Sequence, residues 1–260
     1  MTTYELIEVF RDTQHRINND AVLRSLTLDS IKATRLYEEN FVASEKVIKS
    51  EGDNLSVIEG TTFDTARSVG EGKIATLSFA NPYEPGGGAA RGAVAQEECL
   101  CRCSNLYNAL TADHLAENYY KWHKNRHNYL FSDKVIYTPN VQIIKSDDYS
   151  PLEKAFSVDV LTCAAPYNLR SFPEDVLKTT YESRITNILE VAIDNGADVL
   201  VLGAFGCGVF RNPASLMAEA FREILVDRGY HKYFKQVVFA IIASQRNKNL
   251  EIFKSVLSNN

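Results

Sequence analysis

With 260 residues, 45% of them hydrophobic and 23% charged, the chain can bury a full core and reads as one large domain or a domain with an accessory segment, which excludes large-scale disorder. Its 28 Lys and Arg against 33 Asp and Glu leave a formal charge of -5, a balance that speaks against binding duplex nucleic acid, which needs a basic face. The charged start MTTYELIEVF lacks the apolar core of a signal peptide and no later run reaches membrane-spanning length, while three of the five cysteines (Cys99, Cys101, Cys103) sit too close together for a disulfide framework; a cytoplasmic monomer with reduced thiols is expected.

Residues 1–50 are polar, with apolar positions such as Leu6, Ile7, Phe10, Ile31 and Tyr37 spaced as in short amphipathic helices, and predict a helical N-terminal extension. After the break at Glu51-Gly52-Asp53-Asn54 come β-rich runs at 55–58, 73–79, 134–138, 157–163, 198–202 and 236–243, several without alternation, as in strands covered on both faces. Helical spacing lies between them: Leu100, Cys103, Tyr107 and Leu110; Leu177, Tyr181, Ile185, Ile188, Leu189 and Ala192; Leu216, Ala220, Phe221, Ile224 and Leu225. Asn212 is placed to cap the helix at 216–225, with Pro213 in its first turn and Gly229 past its end. The segment 111–132 fits neither period and predicts an insertion or long loop. The alternation predicts an α/β three-layer sandwich over 51–260.

Two glycine-rich loops leave predicted strand ends, where α/β sheets place their ligands. The first runs Asn81-Pro82-Tyr83-Glu84-Pro85-Gly86-Gly87-Gly88 and leads, after seven intervening residues, to Gln96-Glu97-Glu98 at a helix start; three consecutive glycines imply positive φ or close approach of a ligand. The second, Gly203 to Phe210, ends against a helix N-terminus, where backbone N–H groups and the positive dipole end suit a phosphate, although a tight turn without ligand reads the same way. Two carboxylates at a helix start can likewise be plain dipole complements. Together, a phosphate cradle and a carboxylate pair suggest a nucleotide-diphosphate substrate.

The spacing Gly86-Gly87-Gly88, seven residues, Gln96-Glu97-Glu98 resembles the GGG-x(6–8)-QEE signature of the microbial-type poly(ADP-ribose) glycohydrolases of the macrodomain superfamily, and Gly203 to Phe210 resembles their diphosphate loop. The segments 57–67 (VIEGTTFDTAR), 136–144 (IYTPNVQII) and 159–168 (DVLTCAAPYN) add to the likeness, which spans about residues 50 to 255. The resemblance implies a macrodomain-like sandwich with a mixed sheet and hydrolysis of ribose–ribose bonds in ADP-ribose polymers without cofactor or metal. It implies Glu98 as the catalytic acid, and Glu97 and Asn81 on the substrate ribose. Gln96, Gly86, Gly87, Gly88, Gly206, Cys207, Gly208, Val209 and Phe210 would surround the substrate, and either Phe205 or Phe210 would pack on the ribose. ADP-ribose, poly(ADP-ribose) or ADP-ribosylated proteins are the implied partners.

Common glycosidases set two carboxyl groups about 5–9.5 Å apart across the bond, whereas neighbours on a helix point about 100° apart, so a single carboxyl is expected to serve as acid and then base. A hydrolase acting on single ADP-ribose units would use the same pocket; a pure reader would have no need of the acid. On a helix Cys101 faces away from Cys99 and Cys103, against a shared metal, and Cys207 has no base nearby. His123 and His127 read as solvated, and the basic, aromatic run 121–127 as a solvated loop rather than a nucleic-acid contact.

Overall fold

The computed structural model describes residues 1–126, 128–168, 172–244 and 248–257. Its strands are β1 (Arg35–Tyr37), β2 (Leu55–Glu59), β3 (Ile74–Phe79), β4 (Val135–Lys145), β5 (Pro151–Cys163), β6 (Val199–Leu202) and β7 (Gln236–Ile241). They form one mixed sheet in the order β1-β4-β5-β3-β6-β7-β2. The five strands from β5 to β2 are parallel, and β4 runs against both β5 and β1. The hairpin strands extend well beyond the predicted runs, and the register shift between Thr138 and Val141 falls where Pro139 has no N–H for the ladder and Asn140 takes a φ of 55°.

Helices cover both faces, which is the predicted three-layer sandwich. Alternate residues of the central strands divide between them: Leu200 and Leu202 of β6, with Val237, Phe239 and Ile241 of β7, pack with α8 (Glu174–Asp194), α9 (Ala214–Arg222) and α10 (Asn249–Leu257). Val201 and Ala240 face the other layer, built from α1 (Thr3–Asn19), α3 (Thr62–Ser68), α4 (Gln96–Cys103), α5 (Leu106–Leu110) and α6 (Asp113–Leu115). Among the described residues, no helix is long and apolar enough to cross a membrane.

The first fifty residues carry α1 and α2 (Ala21–Ala33), as the spacing predicts, but also β1, which pairs with β4 at the sheet edge. Thr2 and Glu5 close a capping box on α1 and Asp20 caps α2. The segment 111–132 is not a loop: α6 leads through a π-helical turn at Ala116–Lys121 into α7 (Trp122–Arg126). His123 there is buried, its ring between the Tyr119 carbonyl and the Ser132 hydroxyl, and burial lowers its pKa to about 4, so it is a neutral core residue and not a solvated one. His127 lies outside the described residues. Asn212 does not cap α9. Its side chain bridges inward instead, accepting from the Tyr181 hydroxyl and donating to the carbonyls of Pro166 and Gly206. The helix predicted across 100–110 is broken at Ser104 and Asn105 into α4 and α5.

Candidate active site

Chain order in the sheet brings the two glycine-rich loops together, because β3 and β6 are hydrogen-bonded parallel neighbours and both loops leave their C-terminal ends. Past β3 the chain is pinned by Ala80 N–H on the Cys163 carbonyl at 2.9 Å. Asn81 then folds it into a turn, its amide oxygen accepting from the N–H groups of Tyr83 and Glu84.

The start of α4 is held against this turn by three consecutive side chains. Gln96 accepts from Phe79 N–H at 2.8 Å and donates to the Leu77 carbonyl and the Thr62 hydroxyl, so both ends of its amide are engaged inside the protein. Its expected contact with substrate therefore gives way to a clamp that ties α4 to β3 and α3. Glu97 is 1% exposed; one carboxyl oxygen accepts from Asn81 N–H at 2.7 Å and the other is buried without a partner. Burial raises its pKa well above the usual carboxylate range, the hydrogen bond from Asn81 N–H opposes the rise, and the neighbouring Glu98 adds to it. Glu98 is 7% exposed and accepts from Gly88 N–H at 3.0 Å, which draws its carboxyl into the triple-glycine loop. Gly87 has a φ of 53°, and a Cβ there would stand 2.5 Å from a Glu98 carboxyl oxygen, so at this position the glycine is required by the acid itself.

The second loop is organised by Gly206, whose φ of 72° and lack of a side chain let Ala165 and Asn212 close on it. The N–H groups of Phe205, Cys207, Arg211 and Asn212 are used in loop turns, while those of Gly208, Val209 and Phe210 find no acceptor among the described residues. Three unpaired donors a few residues before the start of α9 are the kind of group that binds an anion. Cys207 lies half-buried with its thiol toward the Phe205 carbonyl, and burial pushes its pKa up to about 12, which leaves no thiolate for nucleophilic attack.

The two phenylalanines separate cleanly. Phe205 is 1% exposed and packs under the loop against Phe79, ring centres 5.6 Å apart, so its expected ribose contact is excluded by burial. Phe210 is half-exposed and joins Phe131 and Tyr167. No three His, Cys, Asp or Glu side chains among the described residues come together as an ion would require. In the basic run, the Trp122 ring already carries the cations of Arg126 and Lys134 at 3.8 and 4.8 Å from its centre.

Sequence reasoning passed over Arg184, which is buried in α8 and holds three parts of the site's flank. It pairs with Asp133 at 2.9 Å and donates to the carbonyls of Ala164, just past β5, and Leu130, just before β4. No local spacing in the sequence could have linked positions so far apart.

A sequence profile described as microbial-type PARG, catalytic domain, matches residues 5–146. No curated protein matches the sequence significantly. Among solved structures, poly(ADP-ribose) glycohydrolase from Thermomonospora curvata is 28% identical with a TM-score of 0.88, covering 98% of this chain and 100% of that one. The same enzyme bound to the inhibitor ADP-HPD gives a TM-score of 0.84 at 28% identity over 97% of this chain and 99% of that chain. Poly(ADP-ribose) glycohydrolase from Deinococcus radiodurans in complex with ADP-ribose is 33% identical, with a TM-score of 0.78, over 89% of this chain and 97% of that chain. The match reaches the N-terminal helices that the motifs alone left outside the likeness, and with the glycine loops and the carboxyl pair in place, the chain belongs to the microbial-type PARG catalytic-domain family.

Proposed function

We propose that this chain is a poly(ADP-ribose) glycohydrolase that cleaves the ribose–ribose bond and releases ADP-ribose, with Glu98 as the single acid and base. The observation that carries this reading is the Glu98 carboxyl held by Gly88 N–H inside the triple-glycine loop, next to a loop with three free N–H donors. The diphosphate lies between Gly86 to Gly88 and Gly206 to Phe210, and Phe210 packs on the adjoining ribose. Glu97 and Asn81 fix that ribose: the unpartnered Glu97 oxygen takes a ribose hydroxyl and the Asn81 amide nitrogen reaches the same sugar.

As the bond from C1″ to the leaving ribose oxygen breaks, that oxygen takes a proton from the Glu98 carboxyl. The resulting oxocarbenium-like centre is stabilised by the nearby diphosphate. Glu98, now a carboxylate, takes a proton from water as that water adds to C1″, which restores the acid. Gln96 acts as a positioning residue for the pair. Every group named belongs to one chain, so a monomer suffices, and poly(ADP-ribose) or ADP-ribosylated proteins are its partners.

Glu98→Gln is expected to lower ADP-ribose release from the polymer by about 100-fold to 10,000-fold while calorimetric binding of ADP-ribose survives. Full activity in this variant overturns the mechanism. Wild-type release from a singly modified protein but not from polymer would make the chain a hydrolase of single units, and binding without release from either would make it a reader.

A further inference from the structure

We infer that Tyr83, Tyr129 and Tyr167, backed by Phe131, form a subsite for the leaving group, where the purine of the neighbouring ADP-ribose unit stacks; this rests on the glycohydrolase reading above. The direction follows from strand order. The diphosphate loop leaves β6 and the carboxyl-bearing loop leaves β3, with β7 and β2 on one side and β5 and β4 on the other. A bound unit with its diphosphate at β6 and its reactive ribose at β3 sends its own adenosine over β7. The group on the far side of the scissile bond must therefore leave over β5 and toward β4.

That is where the aromatic rings gather. Tyr83 meets Phe131 edge-on with ring centres 5.6 Å apart, Phe131 lies 6.0 Å from Phe210, Tyr167 lies 5.3 Å from Phe210, and Tyr129 lies 6.0 Å from Tyr167. Phe131 is buried with Ala80 and Ala164 beneath the group, whereas the three tyrosines are half-exposed. The shelf thus continues from the ribose-packing Phe210 toward β5. Phe131 also takes a φ of 59°, a left-handed conformation rare for an aromatic residue, which persists only where the surroundings enforce it. Here the surroundings are rigid: Tyr167 N–H donates to the Tyr129 carbonyl at 2.7 Å, and Arg184 grips the carbonyls of Leu130 and Ala164. Flat, prepositioned rings with polar rims fit a purine, whose faces stack and whose edges stay wet.

The test compares kinetics on poly(ADP-ribose) with kinetics on ADP-ribosyl fluoride, which carries the same scissile carbon and no base on its leaving group. Tyr83→Ala and Tyr167→Ala should each raise KM for polymer about ten-fold and change kcat/KM for the fluoride by less than about two-fold, with Tyr167→Trp restoring polymer turnover. Tyr167→Leu, which keeps apolar volume without a ring, should behave as the alanine variant does. A parallel fall on both substrates, or unchanged polymer kinetics, overturns the subsite. Failure of the wild-type protein to hydrolyse either substrate would instead overturn the glycohydrolase reading.

Discussion

Glu97 and Glu98 are adjacent in the chain yet chemically unlike, and the difference lies in what surrounds each carboxyl. Glu97 is sealed, with one oxygen on Asn81 N–H and the other unpaired, while Glu98 faces the glycine loop. Because burial raises the Glu97 pKa, the native state holds a proton that the unfolded chain gives up above about pH 4.3, so stability falls as pH rises from there toward the raised native value. Glu97→Gln removes that titration. Its stability relative to wild type should rise with pH by up to about 1.4 kcal/mol per unit across that window and stay level below it, as read from denaturant unfolding at a series of pH values; parallel curves would mean that Glu97 is ionised in the fold. Spacing made the carboxyl pair legible, because helix start and glycine run are local signals. It could not show that the Gln96 amide is saturated by Phe79, Leu77 and Thr62, nor that Phe205 faces the core while Phe210, five residues on, faces out. Those facts depend on partners distant in sequence.

The glycine-rich loop after β6 divides its glycines between two duties. At Gly206 a Cβ would stand 2.5 Å from that of Ala165 and drive into the Asn212 amide, at a φ of 72°, so Gly206→Ala should destabilise by about 2 kcal/mol and weaken ADP-ribose binding by loosening the loop. Gly208 has nothing within 4 Å of its would-be Cβ, so Gly208→Ala should leave the unfolding free energy within about 0.5 kcal/mol of wild type. Thermal unfolding and calorimetric titration of ADP-ribose on both variants separate the duties: lost affinity without lost stability at Gly208 marks a backbone that faces ligand, and equal destabilisation in both variants refutes the division. Glycine runs at strand ends are visible in sequence because glycine has few reasons to cluster. The helical character of 111–132 was hidden, since a π-turn between short helices keeps no 3.6-residue period, and β1 was hidden because three residues joined to an edge carry no alternation to read.

Across the whole molecule, the alternation of apolar runs and helical spacings was enough to give the layered sandwich, but it set residues 1–50 apart from a unit they pack into. β1 extends the sheet, buried Lys145 of β4 reaches Asp12 and the Val9 carbonyl of α1, and Thr13 of α1 donates to the Arg102 carbonyl of α4. A line of contact runs from this segment to the site: Phe10 meets Tyr107 edge-on at 4.9 Å, and the Tyr107 ring lies where a Cβ on Gly86 would come within 2.7 Å. Removing the Phe10 ring should leave a cavity under Tyr107 and free Gly86 to shift, so that helix α1, remote from the chemistry in sequence, tunes the loop that carries it. Phe10→Ala should lose about 3 kcal/mol, a drop of about 10 °C in Tm for a chain of this size, with unfolding by circular dichroism and loss of glycohydrolase activity on heating falling together in one transition. An early partial transition with activity surviving to the wild-type midpoint would instead show that residues 1–50 unfold alone, and that the triple-glycine loop keeps its shape without them.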